Sequence, residues 1–196
     1  ETPDPGYAQA CAIIDRLYAR GNRILMFEGG EPMLWRDGAR RVHDLVTHAR
    51  QRYYSVGMTT NGTRPLDVPA DVLWVSVDGL RETHNQLRGA PVFDHVMANV
   101  RASHHPRLFA HVTANAVNAE EIPRLLVFLN GLFQGITLQF YYPYEQKDDL
   151  FLEADSRVKL LDKVISLKRD GIKVLNSIPA LEALKRSTWT CRDTLI

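Results

Sequence analysis

The sequence of 196 residues has only two cysteines, Cys11 and Cys191, which lie near opposite ends of the chain, so nothing indicates a disulfide framework. It has no excess charge of one sign, since 24 Lys and Arg face 23 Asp and Glu, and this argues against a nucleic-acid surface. No apolar run approaches the roughly 20 residues of a transmembrane segment, and no signal segment opens the chain. These absences favour a cytoplasmic enzyme or binding protein of one domain.

Short apolar segments alternate with segments of helical periodicity along the chain. Strands are predicted at 24–27, 53–58, 72–77, 108–114 and 136–141, with 172–175 as a sixth candidate. Helices are predicted between most of them, although the dozen or so residues before the third strand leave little room for one. Because parallel strands need long crossovers, this alternation predicts an α/β fold, a partial (β/α)6 TIM-like barrel of parallel strands.

Polar residues follow each of the five predicted strands. The segments are EGGEP (28–32), TTNGT (59–63), SVDG (76–79), TANAVN (113–118) and YYPYE (141–145). The carboxyl ends of parallel strands meet at one edge of a sheet, where such folds bind ligands. The sequence therefore predicts a polar rim that holds a ligand.

The first segment suits a positively charged amino group. Gly29 and Gly30 let main-chain carbonyls approach a ligand, and Glu31 adds a carboxylate, while Pro32 fits the first position of the next helix. The alternative is a tight strand-to-helix turn, and a glycine pair alone favours that alternative.

The third segment adds groups of the opposite kind. Ser76 and Asp78 end a strand and can hold a ribose or an amino group, and Arg88 can hold a carboxylate in a fork. Taken separately, they are an ordinary turn and a solvated cation. Together with the glycine pair they predict a zwitterionic ligand, an amino acid or a derivative of one.

These segments, in this order from about residue 7 to 145, resemble the motifs of the radical S-adenosylmethionine (radical SAM) enzymes. The sequence HNQLRGAPVFDHV after SVDG strengthens the resemblance, which is greatest to the branch with a cysteine-rich extension after the barrel. The resemblance implies an iron–sulfur enzyme, an oxidoreductase or transferase, in which a reduced [4Fe-4S] cluster cleaves S-adenosylmethionine. The resulting 5′-deoxyadenosyl radical would then modify an unidentified lipid, peptide or small molecule.

The resemblance also implies which residues hold the cofactor. Gly29, Gly30 and Glu31 would hold the methionine ammonium group. Ser76 and Arg88 would contact its carboxylate or the ribose, with Asp78 shaping that turn. The remaining expected contacts are Pro32, Thr60, Asn61, Asn118 and Tyr141, the last beside the adenine.

The sequence departs from the family in its cysteines. The family holds its cluster with the motif C-x3-C-x2-C after the first barrel strand, and this sequence contains no such motif. We expect that strand and its cysteines to precede residue 1, so that 1–178 are a partial-barrel core without its first strand. Cys11 lies on the apolar face of a predicted helix and is expected in the core.

The residues after the barrel suggest a second cluster. We expect 179–196 to be the start of a truncated C-terminal extension, in which Cys191 is the candidate ligand of an auxiliary iron–sulfur cluster. The arrangement is similar to radical SAM proteins of hopanoid and tetraether-lipid synthesis.

The sequence thus predicts the core of a radical SAM enzyme, served by an electron donor such as flavodoxin or ferredoxin. One alternative is a non-catalytic SAM-binding or scaffold relative without the cluster. A metal-independent barrel enzyme, such as an aldolase, would need a strand-end lysine or a late glycine-rich phosphate loop, and the sequence offers neither.

Several histidines and aromatic residues have two interpretations. His84 either faces the site or packs beneath it, and the pair His104-His105 before Pro106 fits a solvated turn better than a metal site. The basic segment 38–52 is expected to be an exposed helix face. Trp35 and Trp74 are expected to pack.

Overall fold

The computed structural model describes residues 4–143 and 148–186. Its strands are β1 (Ile24–Phe27), β2 (Arg36–Asp37), β3 (Arg40–Arg41), β4 (Ser55–Thr60), β5 (Val72–Ser76), β6 (Leu108–Ala114) and β7 (Ile136–Phe140). Its helices are α1 (Tyr7–Ala19), α2 (Val42–Arg50), α3 (Arg81–Arg88), α4 (Phe93–Ala102), α5 (Ile122–Asn130), α6 (Ala154–Arg169) and α7 (Ile178–Arg186). A single 3-10 turn covers Pro32–Leu34.

The main sheet has five parallel strands in the order β1-β4-β5-β6-β7. The sheet is open, with β1 and β7 at its edges, so the prediction of a partial parallel barrel is confirmed. The sixth candidate strand contributes only an isolated parallel bridge between Val174 and Ile136. As predicted, the crossover from β4 to β5 contains no helix.

The two faces of the sheet differ in burial. On β6, Leu108, Ala110, Val112 and Ala114 are buried under the helices, and the residues between them are less buried. This inner face is apolar on its lower part, where the rings of Trp74 and Phe109 lie 5.7 Å apart. It becomes polar towards the carboxyl ends of the strands, and that change positions the site.

Helix α3 and the β2–β3 hairpin were not predicted. The α3 sequence, RETHNQLR, has a single buried residue, His84, so apolar periodicity could not reveal it. The sequence feature that indicates this helix is the glycine at its carboxyl end. Gly89 follows it with a φ of 66°, a left-handed conformation typical of helix termination.

The last helix bears on the expected domain division. α7 begins at Ile178 and packs on α6, with Leu181 fully buried and Lys185 paired to Asp162 at 2.5 Å. The division after residue 178 therefore falls inside a packed helix and stays a prediction. Within residues 4–143 and 148–186, no helix has the length and apolar character to cross a membrane.

Candidate functional site

A cavity of about 530 Å³ lies at the carboxyl ends of the five parallel strands. It contains eight of the expected cofactor contacts: Gly29, Gly30, Thr60, Asn61, Ser76, Asp78, Arg88 and Tyr141. Glu31, Pro32 and Asn118 do not line it. The other lining residues are Glu28, Thr59, Leu87, His111, Thr113, Asn115, Gln139 and Leu150.

The glycine pair forms the β1 side of the cavity. Gly29 and Gly30 have φ values of 85° and 49°, which L-residues with side chains rarely adopt. This conformation turns the chain sharply after Glu28 and exposes main chain to the cavity. Pro32 is the first residue of the 3-10 turn, and the sequence predicted it at the first position of a helix.

Glu31 is engaged with protein groups. One carboxylate oxygen accepts hydrogen bonds from the Thr60 hydroxyl at 2.7 Å and the Met33 amide at 3.0 Å. The other accepts from the Asn61 amide at 2.6 Å. Glu31 therefore ties the glycine turn to the end of β4, which places the turn's main chain against Thr60 and Asn61.

Arg88 enters the cavity from the last turn of α3. It donates to Asp78 at 2.6 Å, and the other Asp78 oxygen accepts from the Thr113 amide at 3.0 Å. The Asp78 side chain is largely buried, so it holds the guanidinium at a fixed place. A guanidinium has five donors, and the others remain for a ligand carboxylate.

Gly79 allows the short connection between Asp78 and the start of α3 at Arg81. A Cβ at this position would lie 2.7 Å from the Thr83 Cβ and 2.9 Å from the His84 amide nitrogen. The α3 amino terminus is held from another element, because the Leu80 amide donates to Glu121 at 2.9 Å. The glycine of SVDG therefore has a steric role in bringing Arg88 to the cavity.

Asn118 lies beneath the cavity and is fully buried. Its side-chain amide donates to the carbonyls of Asp78 at 2.7 Å and Thr113 at 2.8 Å, and its oxygen accepts from the Asn115 amide. It therefore joins the ends of β5 and β6 and fixes the position of Asp78.

Tyr141 closes the cavity on the β7 side. Its hydroxyl donates to Asp148 at 2.6 Å, and this hydrogen bond raises the pKa of Tyr141. The segment at 148–150 returns over the edge of the sheet, where the Leu150 carbonyl accepts from the Ala116 amide at 3.0 Å. The neighbouring Tyr142 is 80% exposed and does not line the cavity.

Six polar or charged lining residues were not among the expected cofactor contacts: Glu28, Thr59, His111, Thr113, Asn115 and Gln139. Four of them lie within the predicted rim segments, and His111 and Gln139 lie outside those segments. Strand alternation contained the signal for some of them. In LFAHVTA and ITLQF, the polar residues occupy every second position, on the face opposite the buried residues.

His84 packs beneath the site and does not line the cavity. It is 1% exposed, its ring lies 5.8 Å from that of Phe93, and its Nδ1 accepts from the Asp78 amide at 3.2 Å. Burial, followed by the nearby Arg88 charge, lowers the pKa of His84 to about 4. Of its two interpretations, the structure supports the packing one.

The other expectations concern residues remote from the cavity. His105 bonds the Ala70 carbonyl at 3.0 Å in a part-buried turn, while His104 is exposed. These two residues border a larger cavity of about 790 Å³, lined by 65–71 and 102–107 at the amino ends of the strands. The basic helix α2 buries its apolar residues, and Arg40 pairs with Asp44.

The described residues do not fit an iron–sulfur cluster. Across 4–143 and 148–186, no three His, Cys, Asp or Glu side chains come together as metal ligands. Cys11 is a free thiol that packs against the core, as predicted. Cys191 lies outside the described residues, so its expected role stays a prediction.

One curated protein gives a significant sequence match. The chain is 28% identical over 129 residues to Fe-coproporphyrin III synthase of Methanosarcina barkeri, a match that covers 60% of this chain and 31% of the relative. The match thus spans about a third of the relative's length. No family model matches the sequence.

Solved structures share the fold. anSMEcpe with bound AdoMet superposes with a TM-score of 0.63 at 17% identity, over 84% of this chain and 53% of its own. Streptococcus suis SuiB bound to S-adenosylmethionine gives 0.63 at 15% identity, over 89% and 44%. A domain of pyruvate-formate lyase-activating enzyme from Bacteroides vulgatus gives 0.58 at 17% identity, over 76% and 95%.

The solved structures establish the fold, and the sequence match is independent of them. The chain has the fold of the radical SAM enzymes, and the sequence match supports its place in that superfamily.

Proposed function

We propose that this chain is the cofactor-binding core of a radical SAM enzyme and that S-adenosylmethionine binds in the cavity at the carboxyl ends of the strands. One observation carries the proposal. The glycine turn at Gly29 and Gly30 and the guanidinium of Arg88 line the same cavity, one offering acceptors and the other donors. A ligand with an ammonium group and a carboxylate matches that pair.

The methionine end of the cofactor would bind between these two groups. Main-chain carbonyls of the glycine turn accept from the ammonium group, and the Glu28 carboxylate at the same cavity wall attracts it. Arg88, held by Asp78, binds the carboxylate. Glu31 contributes by fixing the turn, which revises its expected role from a direct contact to a positioning residue.

The nucleoside end would lie along β5 to β7. Ser76 presents a hydroxyl from the inner face of β5, and Thr113 and Gln139 follow on β6 and β7, joined by a hydrogen bond of 2.9 Å. These groups can bond ribose hydroxyls, and Tyr141 can lie against the adenine.

The radical chemistry requires a group that the described residues do not hold. A [4Fe-4S] cluster held by other residues would supply the electron for cleavage of S-adenosylmethionine, and an electron donor such as flavodoxin or ferredoxin would reduce that cluster. We propose that its ligands lie outside the described residues. The part of this chain is to bind and orient the cofactor and to limit access of water.

The substrate is proposed only as a class. The synthase from Methanosarcina barkeri is named for an iron coproporphyrin, and the lyase-activating enzyme for a protein. A lipid, a peptide and a small molecule all remain candidates, and the similarity to hopanoid and tetraether-lipid proteins remains a hypothesis.

A non-catalytic SAM-binding relative is the second candidate, because the described residues contain no group of three His, Cys, Asp or Glu side chains that could hold a metal. Iron and sulfide analysis of the longest native form of the protein, after anaerobic reconstitution, separates the two candidates. A stoichiometric amount of iron and sulfide would support the radical SAM enzyme. Binding of S-adenosylmethionine by a protein without iron would support the non-catalytic relative.

Calorimetric titration with S-adenosylmethionine tests the binding proposal. We expect Arg88→Ala to weaken binding by about tenfold or more, because a charge-assisted hydrogen bond is lost. Arg40→Ala is the matched control, since Arg40 pairs with Asp44 outside the cavity, and it should bind like wild type. Equal losses in both variants, or no binding by wild type, would contradict the proposal.

A further inference from the structure

We propose that Asn176 is a positioning residue for the nucleoside end of the bound cofactor. Its side chain holds the outer edge of β7 beside Gln139, which lines the cavity. The inference rests on the proposed function and adds to that site a residue outside the cavity. Its content is that the Asn176 amide strengthens cofactor binding through Gln139.

The Asn176 side chain pairs with the main chain of Leu138 in both directions. Its oxygen accepts a hydrogen bond from the Leu138 amide at 2.8 Å, and its nitrogen donates to the Leu138 carbonyl at 2.9 Å. These are the two groups that a residue in an edge strand offers to a neighbouring strand. One side chain therefore takes the place of a strand here and fixes the main chain of Leu138 at two atoms.

The main chain just before Asn176 covers the same edge further from the cavity. The Ile136 amide donates to the Lys173 carbonyl at 2.8 Å, and the Leu175 amide donates to the Ile136 carbonyl at 2.8 Å. The outer edge of β7 is thus held by main chain at Ile136 and by the Asn176 side chain at Leu138. Of these two positions, Leu138 is the nearer to the carboxyl end of the strand, where the cavity lies.

The residue after Leu138 connects this edge to the cavity. Gln139 pairs with Thr113 in the register of β7 and β6, and its side-chain amide donates to the Thr113 hydroxyl at 2.9 Å. Both residues line the cavity. Because a planar peptide bond joins Leu138 to Gln139, a shift of the Leu138 main chain also displaces Gln139 from Thr113.

Asn176 also covers a sheet edge, which is a structural role that any edge strand requires. Asn130 provides the matched control for that role. Its side-chain oxygen accepts from the Lys173 amide at 2.9 Å, so it anchors the same segment at the end away from the cavity. Loss of the Asn130 side chain loosens the segment while the pair between Asn176 and Leu138 remains.

Two substitutions of Asn176 test the role of its amide. Asn176→Ala leaves both main-chain groups of Leu138 to water, and we expect the dissociation constant of S-adenosylmethionine to rise about fivefold, the effect of about one net hydrogen bond. Asn176→Asp keeps the size of the side chain but places a carboxylate oxygen against the Leu138 carbonyl. It should weaken binding at least as much, and it replaces Asn176→Ala if that variant does not fold.

A double-mutant cycle tests whether the effect passes through Gln139. Calorimetry measures the dissociation constant of S-adenosylmethionine for wild type, Asn176→Ala, Gln139→Ala and the double variant, and urea denaturation verifies that each is folded. We expect Asn176→Ala to weaken binding about fivefold in the wild-type background and less than about twofold in the Gln139→Ala background. Asn130→Ala should bind within about twofold of wild type, although it unfolds at a lower urea concentration.

The outcomes separate this inference from the proposed function. Equal losses from Asn176→Ala in both backgrounds, or a loss of the same size in Asn130→Ala, overturn the inference in favour of a purely structural role. Unchanged binding by Asn176→Ala, with binding that still depends on Arg88, overturns it and leaves the proposed function standing. Absence of binding by wild type overturns the proposed function and the inference together. A fivefold loss that requires Gln139 and is absent from Asn130→Ala supports both.

Discussion

At the residue scale, the polar side chains of the site divide into those that face the cavity and those that hold other residues in place. Asp78 accepts hydrogen bonds from Arg88 and from the Thr113 amide, and the Asn118 side-chain amide donates to the main-chain carbonyls of Asp78 and Thr113. Glu31 has the corresponding role for the glycine turn. The cavity therefore depends on residues that the ligand need not touch.

His84 shows how a buried residue of the site affects stability. Its folded pKa of about 4 lies below the value near 6.5 of an unfolded histidine, so the unfolded chain binds the proton more readily between these values. The contribution of His84 is complete above about pH 6.5 and is lost as pH falls towards 4.

We expect the free energy of unfolding to fall by about 2 kcal/mol more in wild type than in His84→Gln between about pH 6.5 and pH 4.5. Urea denaturation at several pH values measures both slopes. His104→Gln, an exposed control, should keep the wild-type slope. A wild-type slope in His84→Gln would show that His84 does not titrate in this way.

At the element scale, α3 positions Arg88 in the site, although the sequence of α3 has no apolar pattern that predicts a helix. Arg88 is in its last turn, Gly79 allows the short connection from β5, and Glu121 accepts from the Leu80 amide just before the helix. Because α3 has little apolar surface, tertiary contacts rather than an amphipathic pattern define it. Gly62 in TTNGT is likewise determined by tertiary contacts, because Val75 and Val96 leave no room for a side chain at this position.

Gly62→Ala tests the turn that follows β4. Gly62 has a φ of 75°, and an added Cβ would lie 2.7 Å from Val75 and 2.9 Å from Val96. We expect a loss of about 3 kcal/mol in the free energy of unfolding, from strain and overpacking combined. Gly38→Ala, at a φ of 54° with no atom within 4 Å of its added Cβ, should cost about 1 kcal/mol. Chemical denaturation measures both, and equal losses would refute the steric account.

The sequence predicted the elements whose signal is local. The five strands, the missing helix between β4 and β5 and the polar rim all follow from apolar runs and their ends. The buried state of Asn115 and Asn118 could not be predicted, because it depends on how the ends of β5 and β6 approach each other. The register that sets His111 beside Ser76 was also inaccessible, since it depends on pairing between distant segments.

At the scale of the whole molecule, the open sheet separates an apolar outer face under helices from an inner face that ends in a polar cavity. The five strand ends contribute groups of different chemistry to that cavity: acceptors from β1, hydroxyls and amides from the middle strands, and an aromatic residue after β7. This arrangement supports a bound S-adenosylmethionine that extends across the sheet. It is the central claim of the account.

A crystal structure of the chain with S-adenosylmethionine would test that claim most directly. We predict that the methionine end lies between the turn at Gly29 and Gly30 and the guanidinium of Arg88, with the adenine towards Tyr141. Cofactor bound only in the larger cavity at the amino ends of the strands, lined by 65–71 and 102–107, would contradict the account. So would its absence from both cavities at a concentration that saturates binding in solution.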